Sequence, residues 1–155
     1  MSKEIFDILR CPYCKGKLLF IETELLCSDC KRSFAIRDGI PSLLNYNSDF
    51  YEGKFTESHG LDEKFNFPLL KAFKYIYNLI SVDKSRERFF RKNLSRKNQM
   101  ILDIGCGGGW KYLARFGTVI GVDISFKSLR NATRFYNLAI QTDILNLPFL
   151  DNTFD

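Results

Sequence analysis

Four cysteines in two pairs constrain this chain more than any other feature. Cys11-Pro12-Tyr13-Cys14 and Cys27-Ser28-Asp29-Cys30 form a C-x2-C-x12-C-x2-C pattern. Two residues between cysteines let one tight turn aim two thiolates at a single ion, and two such turns build a tetrahedral S4 site. That set suits Zn2+, and iron in a rubredoxin-like site meets the same ligand demand. Disulfides and a redox dithiol are the competing readings, and a reducing compartment disfavours the first. A segment of about 46 residues has too small a core to fold on apolar burial alone, so metal binding becomes part of its folding free energy. Four thiolates leave no open position for water, which makes such a metal structural. Gly16, just past the first pair, is expected to supply the positive φ of the knuckle turn.

The start, MSKEIFDILR, lacks the apolar core of a secretory signal, and no apolar run approaches the ~20 residues of a membrane helix. The expectation is a cytoplasmic location with no membrane contact. Net charge is +5, unevenly spread. Residues 1–46 carry 7 basic and 6 acidic side chains, residues 47–99 carry 11 and 7, and residues 100–155 carry 5 and 5. Within 84–97, Lys84, Arg86, Arg88, Arg91, Lys92, Arg96 and Lys97 face only Glu87. This stretch could meet RNA phosphates, but no aromatic-and-glycine RNA motif accompanies the charge, and the preferred reading is the solvated face of a helix.

The same boundaries divide the chain by pattern. In 1–46, a short helical turn precedes a hairpin of Leu18–Ile21 with Glu24–Leu26 and a third strand at Ser33–Ile36, and Gly39-Ile40-Pro41 ends the module. Residues 47–99 begin as a polar linker containing His59, the only histidine. Leu69, Leu70, Phe73, Ile76, Tyr77 and Ile80 then follow helical spacing, and a second helix is predicted over 85–94 with Phe89, Phe90 and Leu94 inward. The last segment, 100–155, alternates strands and helices. Met100–Ile104 looks like a strand buried on both faces, Trp110–Phe116 like a helix ended by Gly117, and Thr118–Val122 like a second strand. Ser125 is the expected N-cap of a helix with Leu129, Ala132 and Phe135 inward, and Leu138–Thr142 is the third strand. Strands alternating with helices imply a parallel, doubly wound sheet.

The first of these strands runs into Gly105-Cys106-Gly107-Gly108-Gly109. Glycines belong where a ligand lies against bare backbone, and a helix following the turn would aim its unpaired N–H groups at the ligand. A dinucleotide site wants G-x-G-x-x-G, but the third glycine of that pattern falls on Trp110. The spacing here is G-x-G-x-G, and Asp103 stands just ahead of it. A carboxylate there is awkward beside a pyrophosphate and useful beside a cationic amino acid, which favours S-adenosylmethionine. Asp123 ends the second strand, where an acid can bind both ribose hydroxyls. Asp143 ends the third, placed to accept from the adenine amino group, with Ile124 and Ile144 flanking the ring. Cys106, the fifth cysteine, is expected to pack.

Two resemblances add to these readings. Leu9-Arg10-Cys11-Pro12-Tyr13-Cys14-Lys15-Gly16, the Cys27/Cys30 pair and Asp38-Gly39-Ile40-Pro41-Ser42-Leu43-Leu44 resemble the Trm112-like zinc ribbons. Such modules are associated with methyltransferases as activating subunits or fused domains. ILDIGCGGG, VIGVDIS and QTDILNLPFLDNTFD resemble the class I, seven-strand methyltransferases of the type 11 group. That resemblance implies that Asp103, Gly105, Gly107 and Gly109 cradle the methionine part of the cofactor, Asp123 the ribose and Asp143 the adenine. Trp110 departs from the family pattern.

The fold expected is α/β: the first half of a Rossmann-like methyltransferase sheet, preceded by a small zinc ribbon and a helical linker. The family's sheet order, 3-2-1-4-5-7-6, makes strand 1 an open apolar edge when strand 4 is missing, with a tendency to self-association. The chain stops in the loop before strand 4, so the expectation is a fragment or truncated reading frame without methyl transfer of its own. No general base is named, and the acceptor stays open among RNA, protein and small molecules. The rival functions are a non-catalytic zinc-ribbon partner and an RNA-binding zinc protein.

Overall fold

A computed structural model describes residues 3–44, 46, 52, 82–94 and 99–155. The helix expected after Pro68 and His59 lie outside the described residues. A short helix α1 (Lys3–Asp7) leads into an antiparallel sheet of β1 (Leu18–Ile21), β2 (Glu24–Cys27), β3 (Ser33–Arg37) and β4 (Ile40–Pro41), in that order. Arg37 pairs with Ile40 across Asp38-Gly39, both at positive φ, a two-residue loop whose twist matches the flanking strands.

Helix α2 (Val82–Asn93) precedes a parallel sheet of β5 (Gln99–Ile104), β6 (Gly117–Asp123) and β7 (Leu138–Gln141), ordered β5-β6-β7. Helix α3 (Phe126–Ala132) connects β6 to β7. Among the described residues, no helix is long and apolar enough to cross a membrane.

The two sheets are joined at their edges. Beyond β4, Ser42 forms a parallel bridge with Gln141, and the Leu43 N–H donates to the Gln141 carbonyl at 2.8 Å. The outer edge of β7 is thereby covered by the ribbon. A second junction forms where Leu9 bridges Phe149: the Arg10 N–H donates to the Pro148 carbonyl (2.8 Å) and the Leu150 N–H to the Ile8 carbonyl (3.0 Å).

Packing follows the same continuity. Leu9, Leu18, Leu25, Phe34 and Leu43 of the ribbon share one buried cluster with Ile120, Val122, Leu138, Ile140 and Phe149 of the parallel-sheet segment. The small core expected of a separate ribbon is therefore completed by one face of the parallel sheet. On the other face, Val119 and Ala139 meet Leu129, Ala132 and Tyr136, with Phe90, Leu94 and Trp110 packed against them.

Four local expectations are corrected. Phe89 is 62 % exposed. Phe90 and Leu94, one turn apart, point inward and leave Phe89 on the flank, edge-on to Phe90. Phe135 is 40 % exposed, because α3 ends at Ala132 and the inward period continues 129, 132, 136, burying Tyr136 instead. β5 is only partly buried, as the outermost strand of its sheet, and Ile104 is 52 % exposed. Its outer edge is engaged at Met100, whose N–H donates to Asp155 Oδ2 (2.8 Å) and whose carbonyl accepts from the Asp155 N–H (3.1 Å).

The fourth correction concerns the helix expected over Trp110–Phe116, of which only a 3-10 turn at Leu113–Arg115 forms. The backbone bonds there reach only three residues back, from the Leu113 N–H to Trp110, the Arg115 N–H to Tyr112 and the Phe116 N–H to Leu113, and β6 begins directly afterwards at Gly117.

Candidate functional site

The four ribbon cysteines converge. Their sulfurs all lie within 4.8 Å of one another, with Cys11–Cys30 at 3.7 Å and Cys14–Cys27 at 3.4 Å. Four thiolates bound at ~2.3 Å would stand about 3.8 Å apart, so the set fits one tetrahedral ion. Disulfides, at about 2.05 Å, are not formed.

The two turns are built alike. Cys14 is followed by Lys15 at φ 62° and Cys30 by Lys31 at φ 60°. The sulfur of each second cysteine receives a backbone N–H two residues on, from Gly16 and from Arg32. The expectation for Gly16 is corrected here, since the positive φ falls on the lysines. A Cβ on Gly16 would stand 2.5 Å from Asp29 Oδ2, so the two knuckles approach closely here and any larger residue would displace the exposed Asp29 carboxylate.

The thiols are unevenly tuned. Burial pushes Cys11 up to about 12. The Arg32 amide lowers Cys30 to about 6. At Cys14 the Gly16 amide pulls downward, but the Cys27 sulfur and desolvation leave the thiol raised. Without a shared cation the cluster resists holding four negative charges, which a divalent ion relieves.

The second site lies at the carboxyl ends of β5, β6 and β7. Gly105, Gly107 and Gly109 all adopt positive φ (67°, 52° and 76°). A Cβ at Gly105 or Gly107 would meet nothing within 4 Å, so backbone conformation demands glycine there and the space over the turn is open. A Cβ at Gly109 would stand 3.0 Å from the Ala132 Cα and 3.3 Å from the Tyr136 ring, so this glycine seats the turn on α3.

The three acids occupy consecutive strand ends, each with internal partners. Asp123 Oδ2 accepts from the Gly107 N–H and Oδ1 from the Ser125 N–H, both at 2.8 Å. Each carboxylate oxygen keeps a second lone pair for a ligand hydroxyl. Asp143 Oδ1 accepts from the Leu145 N–H (2.9 Å) and Oδ2 from the Tyr46 hydroxyl (2.9 Å). Asp103 Oδ2 accepts from the Tyr136 hydroxyl at 2.5 Å, and that oxygen accepts from the Trp110 N–H at 2.7 Å. Burial first, then the Asp103 carboxylate, raises Tyr136 above the ordinary phenol. Ile124 is half-buried beside Asp123, and Ile144 is exposed beside Asp143.

The N–H groups of Gly107 and Trp110 are thus spent within the protein, and no α-helix N-terminus follows the turn. Cys106 packs at the α3 face, its thiol raised by burial and by Asp103 and Asp123. The Trp110 ring meets Phe90 at a tilt (5.4 Å between centroids), and the Arg86 guanidinium lies over it at 5.2 Å.

Sequence reasoning missed four residues. Tyr46 is the last residue of the ribbon segment and Glu52 stands in what looked like a linker, yet Tyr46 reaches Asp143, and Glu52 accepts from the Ser125 hydroxyl and from the Phe126 and Lys127 N–H groups. Nothing local marks either. Tyr136 and Gly121 are coupled: a Cβ on Gly121 would stand 2.6 Å from the Tyr136 ring and 2.8 Å from Cys106 Sγ. The glycine inside VIGVD was the one available signal.

Comparison with known proteins divides along the same line. Residues 2–39 match the Trm112p-like protein family, and residues 102–155 match a methyltransferase domain family. A UPF0434 protein of Legionella pneumophila (strain Corby) is 50% identical over 44 residues, 28% of this chain and 75% of that protein. One from Dechloromonas aromatica (strain RCB) is 50% identical over 46 residues, covering 28% and 79%, and one from Coxiella burnetii (strain CbuK_Q154) is 46% identical over 46 residues, covering 28% and 82%. Through its ribbon the chain belongs to the Trm112p-like family, to which it is joined by its UPF0434 relatives, and that ribbon is followed in the same chain by a segment matching the type 11 methyltransferase domain family.

Proposed function

We propose that the chain binds S-adenosylmethionine across the carboxyl ends of β5–β7 as the cofactor-binding part of a methyltransferase, with Zn2+ held structurally by Cys11, Cys14, Cys27 and Cys30. The observation that carries the cofactor reading is the positive-φ turn of Gly105, Gly107 and Gly109, open above its backbone, next to three strand-end acids. In this reading Asp103 and the turn receive the methionine end, Asp123 the ribose hydroxyls, and Asp143 the adenine amino group between Ile124 and Ile144. The cofactor supplies an electrophilic sulfonium methyl, and the residues named here bind and orient it.

The ribbon's role is read from its place. Just past its last strand, Ser42 and Leu43 bond to Gln141 at the end of β7 of the same chain, which favours a fused brace for the cofactor sheet over a module that docks on another protein.

Titration with S-adenosylhomocysteine tests the cofactor reading: binding to the full chain that Asp123→Ala weakens at least tenfold supports it, and equal affinity in that variant rejects it. Metal analysis of protein purified without added metal tests the ribbon. One Zn2+ per chain is expected; a coloured, iron-containing protein overturns the zinc assignment.

A further inference from the structure

Gln141 ends β7, the edge strand that meets the ribbon. Its side chain is almost wholly buried, at 2 % exposure. The Ser42 hydroxyl donates to its Oε1 at 2.6 Å, and its Nε2 donates to the Ile124 carbonyl at 2.9 Å. The orientation of the amide follows from the second contact, because a carbonyl only accepts. Its backbone carbonyl also receives the Leu43 N–H.

The far end of this link is the turn beneath the proposed adenosine. Ile124 lies between Asp123, which holds the Gly107 N–H, and Ser125, the N-cap of α3. A hydrogen-bonded path thus runs from Ser42 of the ribbon through one side chain to the segment that fixes both the ribose acid and the glycine turn. Leu138, Ala139 and Ile140 fill the rest of the strand with apolar groups. A long amide at its end costs desolvation that packing alone does not require, and it is tolerated because both ends are paired.

We propose that Gln141 is a positioning residue through which the ribbon sets the Asp123–Ile124 turn for the adenosine half of the ligand. The ligand named rests on the cofactor reading above; the mechanical link does not.

The test uses the full chain as wild type, Gln141→Met, Ser42→Ala and Ser42→Thr. Amide hydrogen exchange is followed without ligand, and S-adenosylhomocysteine is then titrated. Gln141→Met removes the donor to Ile124 and keeps the volume. It is expected to speed exchange at Gly107 and Ser125 by about tenfold, the equivalent of roughly one hydrogen bond, and to weaken binding by a similar factor. The Cys27 N–H, bonded to the Arg32 carbonyl within the ribbon, is expected to keep its rate. Ser42→Ala shifts the same amides by a smaller factor, and Ser42→Thr, which keeps the hydroxyl, restores wild-type behaviour.

Unchanged exchange at Gly107 and Ser125 in Gln141→Met overturns the proposal. So does a rise shared equally by the ribbon amides, which marks general destabilisation, and so does unaltered affinity in a wild type that binds. Local acceleration in a protein that binds no S-adenosylhomocysteine supports the link and defeats only the cofactor reading.

Discussion

Leu9→Ala tests whether ribbon and sheet fold as one body. Leu9 is fully buried, bridges Phe149 and belongs to the cluster that runs from Leu25 and Phe34 to Ile120 and Ile140. Truncating a leucine in such a place loses its transfer free energy and leaves a cavity, about 3 kcal/mol in all. For a chain of this size each kcal/mol moves the midpoint by roughly 2–4 °C, so a fall of roughly 6–12 °C is expected. Two probes decide what that fall means. Trp110, the sole tryptophan, reports on the opposite face of the parallel sheet through its fluorescence. Cobalt loaded into the cysteine cluster reports on the ribbon through its thiolate absorbance. With one shared core, both probes shift together in the variant and give a single coincident transition. A cobalt signal that moves while Trp110 keeps its midpoint, or a loss below about 1 kcal/mol, refutes the shared core.

Tyr136→Phe removes the hydroxyl that joins Asp103 to the Trp110 N–H, and chemical denaturation should show a loss of about 2 kcal/mol, since one bond lost is to a carboxylate. The raised phenol also fixes a pH dependence: the folded state holds its proton more tightly than the unfolded chain, so this contribution is intact below pH ~10 and is lost as pH climbs beyond it. Wild type should therefore lose stability more steeply than Tyr136→Phe in alkaline denaturation, and parallel curves would contradict this. Gly121→Ala places a methyl against the Tyr136 ring and Cys106 Sγ, for a loss of about 1–3 kcal/mol by thermal melting, whereas Gly108→Ala, whose Cβ meets only Asn131 at 3.5 Å, should cost less.

What the sequence made legible was local and chemical. Cysteine spacing, the Ser125 cap and the G-x-G-x-G turn each depend on a few neighbouring residues, and each stands where its pattern implied. The misses share a different cause, which is sequence distance. Periodicity placed Phe89 and Phe135 inward, but which flank of a helix is buried is decided by its partner, here Trp110 and β6.

Gly16, Gly117 and Gly121 show the same rule at single atoms. The group a Cβ would meet is Asp29 for Gly16, the Gln99 carbonyl for Gly117 and Tyr136 for Gly121, 13, 18 and 15 residues away. Tyr46 and Glu52 extend it to the candidate site: their partners lie 97 and 73 residues on, at Asp143 and Ser125. Because Tyr46 and Glu52 both bond to residues at the ends of β6 and β7, the boundary near residue 46 divides the composition but does not divide the candidate site. A ribbon excised at that point would lose the sheet face that completes its core, and the sheet would lose Ser42 and Tyr46 from the surroundings of Gln141 and Asp143.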